Sequence, residues 1–289
     1  MESGSMQVIA TIPELRAATK QSQGAHKTIG FVPTMGYLHE GHLSLIRRAR
    51  QENDVVVVSI FVNPTQFAPH EDLATYPRDH ERDLALLHAA SADIVFLPTV
   101  EELYPSGYTT YVQVEGSISA TLCGVSRPTF FRGVATIVTK LFHMVTPQRA
   151  YFGQKDAQQA AVIKKMVRDL NFDLDIVVCP TVREEDGLAM SSRNTYLTTT
   201  QRAQAVWISK ALFEAQALIE TGEHRASHIR KSIETRIAAI DDAVIDYVSI
   251  VDANTLADVE TLSGETLIAA AVKVGKTRLI DNIQVQIKQ

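Results

Sequence analysis

A chain of 289 residues with 45% hydrophobic and 21% charged side chains has the make-up of a packed globular protein and excludes a disordered one. That length exceeds what one hydrophobic core readily fills, so two domains of unequal size are expected. A formal charge of −5 with scattered Lys and Arg excludes a nucleic-acid coat, and the want of any apolar run near ~20 residues excludes a membrane helix.

Residues 1–5 lack the basic and apolar regions of a secretory signal and read as a foreign leader ahead of a natural start at Met6. From residue 28 to 179, β-rich runs alternate with helix-period segments. Strands are predicted at 29–32, 55–62, 93–97, 150–152 and 175–179. The unbroken run Val55-Val56-Val57-Val58 suits a strand buried on both faces of a parallel sheet. Between strands, Leu43, Ile46 and Ala49 share a helix face, as do Val134, Ile137, Val138 and Leu141, and Ala160, Ile163, Val167 and Leu170. This alternation predicts an α/β fold, a doubly wound, Rossmann-like parallel sheet over residues 1–181.

The pattern changes after Pro180. A loop rich in charge and Ser precedes helical stretches at 201–220 and 227–240, then strand-like runs at 245–251, 266–274 and 277–280. They predict a smaller α+β domain over 182–289. Cys123 and Cys179 have no close partner and read as reduced thiols. With neither signal nor membrane helix, the expected location is cytoplasmic.

Four segments carry chemistry. In Val32-Pro33-Thr34-Met35-Gly36-Tyr37-Leu38-His39-Glu40-Gly41-His42 a strand ends, the chain turns and a helix opens, offering backbone N–H groups to an anion at the carboxyl end of the sheet. His39 and His42, three apart, project to one side, where imidazole N–H donors would meet phosphate charge. A zinc site is disfavoured, because the spacing lacks a third ligand. After the second strand, Asn63-Pro64-Thr65-Gln66 marks a turn; by position alone, Gln66 is equally a crevice ligand and a plain loop residue.

In the third segment, Gly153-Gln154-Lys155-Asp156, another strand turns into a helix. Lys155 at a helix N-terminus opposes the dipole, which points to an anionic ligand; Asp156 reads as an N-cap or a ribose contact, and Gln159 as facing crevice or solvent. The fourth, Asp186-Gly187-Leu188-Ala189-Met190-Ser191-Ser192-Arg193-Asn194, is either a solvated linker or a loop whose guanidinium holds phosphate. Two features are set aside. Gly275-Lys276-Thr277 imitates the end of a P-loop but has Ala270 where glycine is required. Glu184, Glu185 and Asp186 read as a solvated acidic run.

Jointly, these segments closely resemble the pantothenate synthetase (pantoate–β-alanine ligase) family of H-x-G-H nucleotidyltransferases. Tyr76-Pro77-Arg78, Phe131-Arg132-Gly133-Val134 and Arg278-Leu279-Ile280-Asp281-Asn282 add to the likeness, which spans nearly the whole chain. The resemblance implies an AMP-forming ligase that makes a C–N bond: the carboxylate of pantoate attacks the α-phosphorus of ATP, and β-alanine then displaces AMP from the pantoyl adenylate. It implies an ATP site of Met35, Gly36, Tyr37, Leu38, His39, Glu40, Gly41, His42, Gly153, Gln154, Lys155, Asp156, Val182, Met190, Ser191, Ser192 and Arg193. On the same resemblance His39, His42, Lys155, Ser191, Ser192 and Arg193 would act in the chemistry, and Gln66 and Gln159 would bind pantoate. Mg2+ would bridge phosphates, with Asp83 helping to hold it, and members are usually homodimers. Departures are slight: Ala68-Pro69-His70 after Phe67, and Asp79 where the family often has Thr. A nucleotidyltransferase acting on a phosphate ester would carry extra cations in place of Gln66 and Gln159. A silent ATP sensor would lack His39, Lys155 or Arg193.

Overall fold

A computed structural model describes residues 6–288; the expectation for residues 1–5 lies outside them. In chain order the elements are β1 (Gln7–Ile9), α1 (Ile12–Gly24), β2 (Ile29–Thr34), α2 (Glu40–Glu52), β3 (Val55–Ile60), α3 (His80–Ala89), β4 (Ile94–Phe96), α4 (Val100–Leu103), α5 (Ser117–Ala120), α6 (Cys123–Ser126), α7 (Phe130–Val145), β5 (Arg149–Gly153) and α8 (Ala157–Asp169). There follow β6 (Asp175–Cys179), α9 (Thr199–Glu220), α10 (Ala226–Ile237), β7 (Ala243–Asp252), β8 (Gly264–Val274) and β9 (Thr277–Ile287). Among the described residues, no helix is long and apolar enough to cross a membrane.

The chain forms two compact units. One holds the chain up to Val114 with Thr129–Gly153 and Val162–Cys179; the other holds Glu115–Pro128, Gln154–Ala161 and the chain from Pro180 onward. The second unit thus takes in two segments from the part of the sequence that reads as α/β.

In the first unit six parallel strands run in the order β1-β4-β3-β2-β5-β6. All six residues of β3 are buried, as its valine run predicts for a strand covered on both faces. One side of the sheet packs around Phe31, Val57, Phe96, Phe142 and Phe152, and the other around Val32, Ile46, Val58, Val95 and Tyr151. The winding direction reverses between β2 and β5, so the crevice outside their carboxyl ends is where a doubly wound sheet takes its ligand. Strand β1 was not predicted. It is three residues long, two of them exposed, and an edge strand this short leaves no period to read.

In the second unit, β7, β8 and β9 form an antiparallel sheet with a register shift between Ile245 and Tyr247. Six consecutive residues of β8, Leu267 to Val272, are buried, and α9 and α10 pack on the sheet through Ile208, Leu212, Ile229 and Ile233. Gly275 turns β8 into β9 at φ 59°, so the Gly-Lys-Thr element is a hairpin turn and no helix follows it.

Candidate functional site

At the end of β2 the chain makes a turn of unusual backbone shape. Gly36 and Tyr37 both have positive φ, 79° and 50°. Gly36 has no room for a side chain, since a Cβ there would lie 2.9 Å from Ile60 Cγ2 and 3.0 Å from Asp83 Oδ2. Asp83, in the first turn of α3, is fully buried and accepts from the N–H groups of Tyr37 and Leu38, both at 2.7 Å. An acceptor for two successive backbone amides offsets the cost of holding Tyr37 left-handed. Both Asp83 oxygens are therefore engaged with backbone. Those two bonds make the residue a clamp on the 36–38 turn; the resemblance gave it a part in holding Mg2+.

His39 then starts α2. It is the N-cap, with extended backbone (φ −136°, ψ 176°), and its Nδ1 accepts from Gly41 N–H at 3.1 Å. His42 reciprocates: its Nδ1 accepts from His39 N–H at 3.3 Å. The result is a capping box built from two imidazoles, with ring centroids 4.1 Å apart. Because each Nδ1 accepts a backbone hydrogen bond, each neutral ring carries its proton on Nε2. The two rings thus carry their Nε2–H groups at a helix start, in the positive end of the helix dipole.

Gln66 lies in the short 3-10 turn Pro64–Gln66 after β3 and is buried. Asn63 sets which way its amide points. Asn63 Nδ2 donates to Gln66 Oε1 at 3.0 Å and to Gly133 O at 3.1 Å, while Asn63 Oδ1 accepts from the Tyr104 hydroxyl at 2.9 Å. Burial pushes the Tyr104 phenol up to about 12, so it stays a neutral donor. With Oε1 turned to Asn63, Gln66 directs its Nε2 toward Met35 Sδ at 3.0 Å. The NH2 end of the amide is thus the one turned to the Met35 side.

In the second unit, Lys155 sits in the 3-10 turn Gln154–Asp156 that runs directly into α8. Its Nζ is 3.7 Å from Asp156 Oδ2. Gln159 is half-buried on the first turn of α8. The neighbouring Gln158 is buried and holds the Ile118 and Thr121 carbonyls and the Cys123 N–H, a structural part that sequence left unassigned.

The loop at 182–194 is ordered by its own contacts. Met190 N–H donates to Val182 O at 3.0 Å, and Ser191 caps the 3-10 turn Ser192–Tyr196 by accepting from Arg193 N–H at 3.3 Å. Ser192 is buried. The acidic run is neutralised by Arg202 of α9, which bonds Glu184 at 2.6 Å and Asp186 at 2.8 Å. That guanidinium holds the Asp186 carboxyl below its usual range.

The sequence pattern of the pantoate-β-alanine ligase family matches residues 7–284. The chain belongs to that family. It is 60% identical to a pantothenate synthetase of Acetivibrio thermocellus over 98% of this chain and all of the relative, and 57% identical to one of Moorella thermoacetica over 98% and 99%. A crystal structure of the Thermus thermophilus pantothenate synthetase superposes with a TM-score of 0.93 at 47% identity, covering 98% of this chain and all of that one. A Francisella tularensis pantoate-β-alanine ligase, solved in complex with β,γ-ATP and β-alanine, superposes with a TM-score of 0.79 at 35% identity, covering 96% and 97%. The family membership, the α/β fold with a smaller three-stranded antiparallel part, and the ligase class expected from the motifs are therefore shown.

Proposed function

We propose that this protein condenses pantoate with β-alanine to give pantothenate at the expense of ATP, through a pantoyl adenylate. The observation that carries the chemistry is the paired imidazoles, whose Nδ1 atoms are both occupied by backbone donors. In the first half-reaction a pantoate carboxylate oxygen attacks the α-phosphorus, the bond from that phosphorus to the α,β-bridging oxygen breaks, and pyrophosphate leaves with the bonding pair. Negative charge spreads over the phosphate oxygens as this happens. Two Nε2–H groups at a helix N-terminus would stabilise that charge. Lys155 supplies a further positive charge, and Ser191, Ser192 and Arg193 suit the departing pyrophosphate. In the second half-reaction the β-alanine amine attacks the acyl carbon, AMP leaves with the bonding pair, and the amine loses a proton.

Gln66, offering N–H toward an acceptor oxygen, suits a hydroxyl or carboxylate of pantoate, and Gln159 is assigned to the same substrate. Tyr37, Leu38, Glu40, Gly41, Gly153, Gln154, Asp156, Val182 and Met190 complete the ATP contacts proposed for this chain. Mg2+ is proposed as the counter-ion of ATP, a hard cation that would take phosphate oxygens and few protein ligands. A cytoplasmic homodimer completes the proposal, its stoichiometry to be read by sedimentation. The deciding assay incubates the protein with Mg-ATP, pantoate and β-alanine: AMP and pyrophosphate should appear in step with pantothenate, and ADP with phosphate would sink the adenylate route.

A further inference from the structure

Strand β9 ends the hydrogen-bonding needs of a segment far away in sequence. Asn282 is buried, and its Nδ2 donates to the carbonyl oxygens of Gln154 at 3.0 Å and Lys155 at 2.9 Å, while its Oδ1 accepts from Gln154 Nε2 at 3.1 Å. An asparagine amide has two N–H groups, and both are spent on two successive carbonyls of the turn that carries Lys155. One position back, Asp281 is buried and takes both arms of Arg183, at 2.6 and 2.9 Å, and Arg183 Nη1 also donates to Gly187 O at 3.1 Å. Asp281 also accepts from Asn282 N–H at 2.7 Å, so the backbone of Asn282 is itself held.

Lysine reaches its target through four methylenes, and a flexible stem is aimed only as well as its root is fixed. In the turn Gln154–Asp156, the carbonyls of Gln154 and Lys155 both have Asn282 as partner. We infer that Asn282 is a positioning residue for the reaction: it fixes the backbone from which Lys155 reaches the reacting phosphate, and it does nothing else to the chemistry. The inference rests on the reading of Lys155 given above, and the test keeps the two apart.

The experiment compares Asn282→Ala, Asn282→Asp, Lys155→Ala and the Asn282→Ala/Lys155→Ala double variant. The readout is single-turnover pyrophosphate release from Mg-ATP and pantoate without β-alanine, beside ATP titration and thermal melts. Misplacing a reacting group by about 1 Å costs on the order of a hundredfold; Asn282→Ala is expected to slow the step about tenfold to a hundredfold, with a smaller loss of ATP affinity because Asn282 also holds Gln154. Asn282→Asp keeps an acceptor for Gln154 but turns a carboxylate oxygen toward two carbonyls, and should be at least as slow. In the Lys155→Ala background the Asn282 substitution should cost less than about threefold more, because residues acting as one unit are not additive. Losses that multiply in the double variant would overturn the inference and leave Lys155's role standing. So would collapse of the fold in both Asn282 variants, which would make the residue structural. A Lys155→Ala enzyme that releases pyrophosphate normally would overturn the reading of Lys155 itself, and the inference with it.

Discussion

Gly133 of α7 lies directly against the backbone of Thr65: a Cβ added to Gly133 would sit 2.4 Å from the Thr65 carbonyl oxygen and 2.7 Å from the Gln66 N. Gly133 O also accepts from Asn63. The helix thus supports the turn that carries Gln66, and only hydrogen fits between them.

Gly133→Ala is therefore expected to push the Thr65–Gln66 backbone aside. Overpacking costs about 1–3 kcal/mol, and the displaced amide should raise KM for pantoate severalfold more than KM for ATP. Steady-state kinetics in each substrate, with melts alongside, measure both effects. Unchanged pantoate use with a lowered melting temperature would mean that the close approach matters only to folding.

The capping role of His39 separates two losses that one substitution would confuse. His39→Ala removes the cap and the Nε2–H donor together; His39→Asn keeps a good N-cap and removes the donor. His39→Ala should lose about 0.5–2 kcal/mol of stability and His39→Asn close to none. Both should slow pyrophosphate release in the first half-reaction by about a hundredfold to a thousandfold. An Asn variant with near-normal adenylate formation would reduce His39 to a helix cap.

Much of this arrangement is local and was legible in the sequence. The valine run of β3, the His39 and His42 spacing and the strand-turn-helix around Lys155 all lie within a few residues. The supports are not local. Asp83 is 46 positions from Tyr37 and Asn282 is 127 from Lys155, and a pattern read along the chain carries no signal for a hydrogen bond that closes across it. Asp83 in particular reads as a free carboxylate until its two amide partners are seen. Gly133 reads as part of a family motif, with its reason visible only once Thr65 is beside it. The edge strand β1 and the far half of β9, which alternates half-buried and exposed, lacked the continuous apolar run that marked the other strands.

Asp83→Asn tests the clamp against the metal reading. An amide has one acceptor oxygen where the carboxylate offers two, so one of the Tyr37 and Leu38 N–H groups would face an NH2 group. Leaving one buried donor unsatisfied costs about 1–3 kcal/mol, and the distorted 36–38 turn should weaken ATP binding in the absence of metal as well as in its presence. A variant whose ATP binding is normal without Mg2+, and whose only defect is a raised Mg2+ requirement, would return Asp83 to the role of metal ligand.

The last prediction concerns a buried network at the opposite ends of β2 and β5. Tyr151 has no exposed surface; its hydroxyl donates to Glu52 Oε2 at 2.8 Å and accepts from Asn53 Nδ2 at 2.7 Å. Burial, with the Glu52 carboxylate beside it, pushes the phenol up to about 12, above the value of about 10 it would have in the unfolded chain. Between those two values the unfolded state releases its proton while the native state keeps it. Stability from this residue is therefore complete below pH 10 and is lost as pH rises toward 12, with a slope of at most about 1.4 kcal/mol per pH unit. Tyr151→Phe abolishes that slope but leaves Asn53 Nδ2 and Glu52 short of a partner, so it should start about 1 kcal/mol less stable at pH 8. Urea unfolding of both proteins from pH 8 to 11.5 should show the gap between them closing as pH rises. Two parallel curves across that range would mean that Tyr151 ionises as freely in the folded protein as in the unfolded one, and that the network contributes nothing to its alkaline stability.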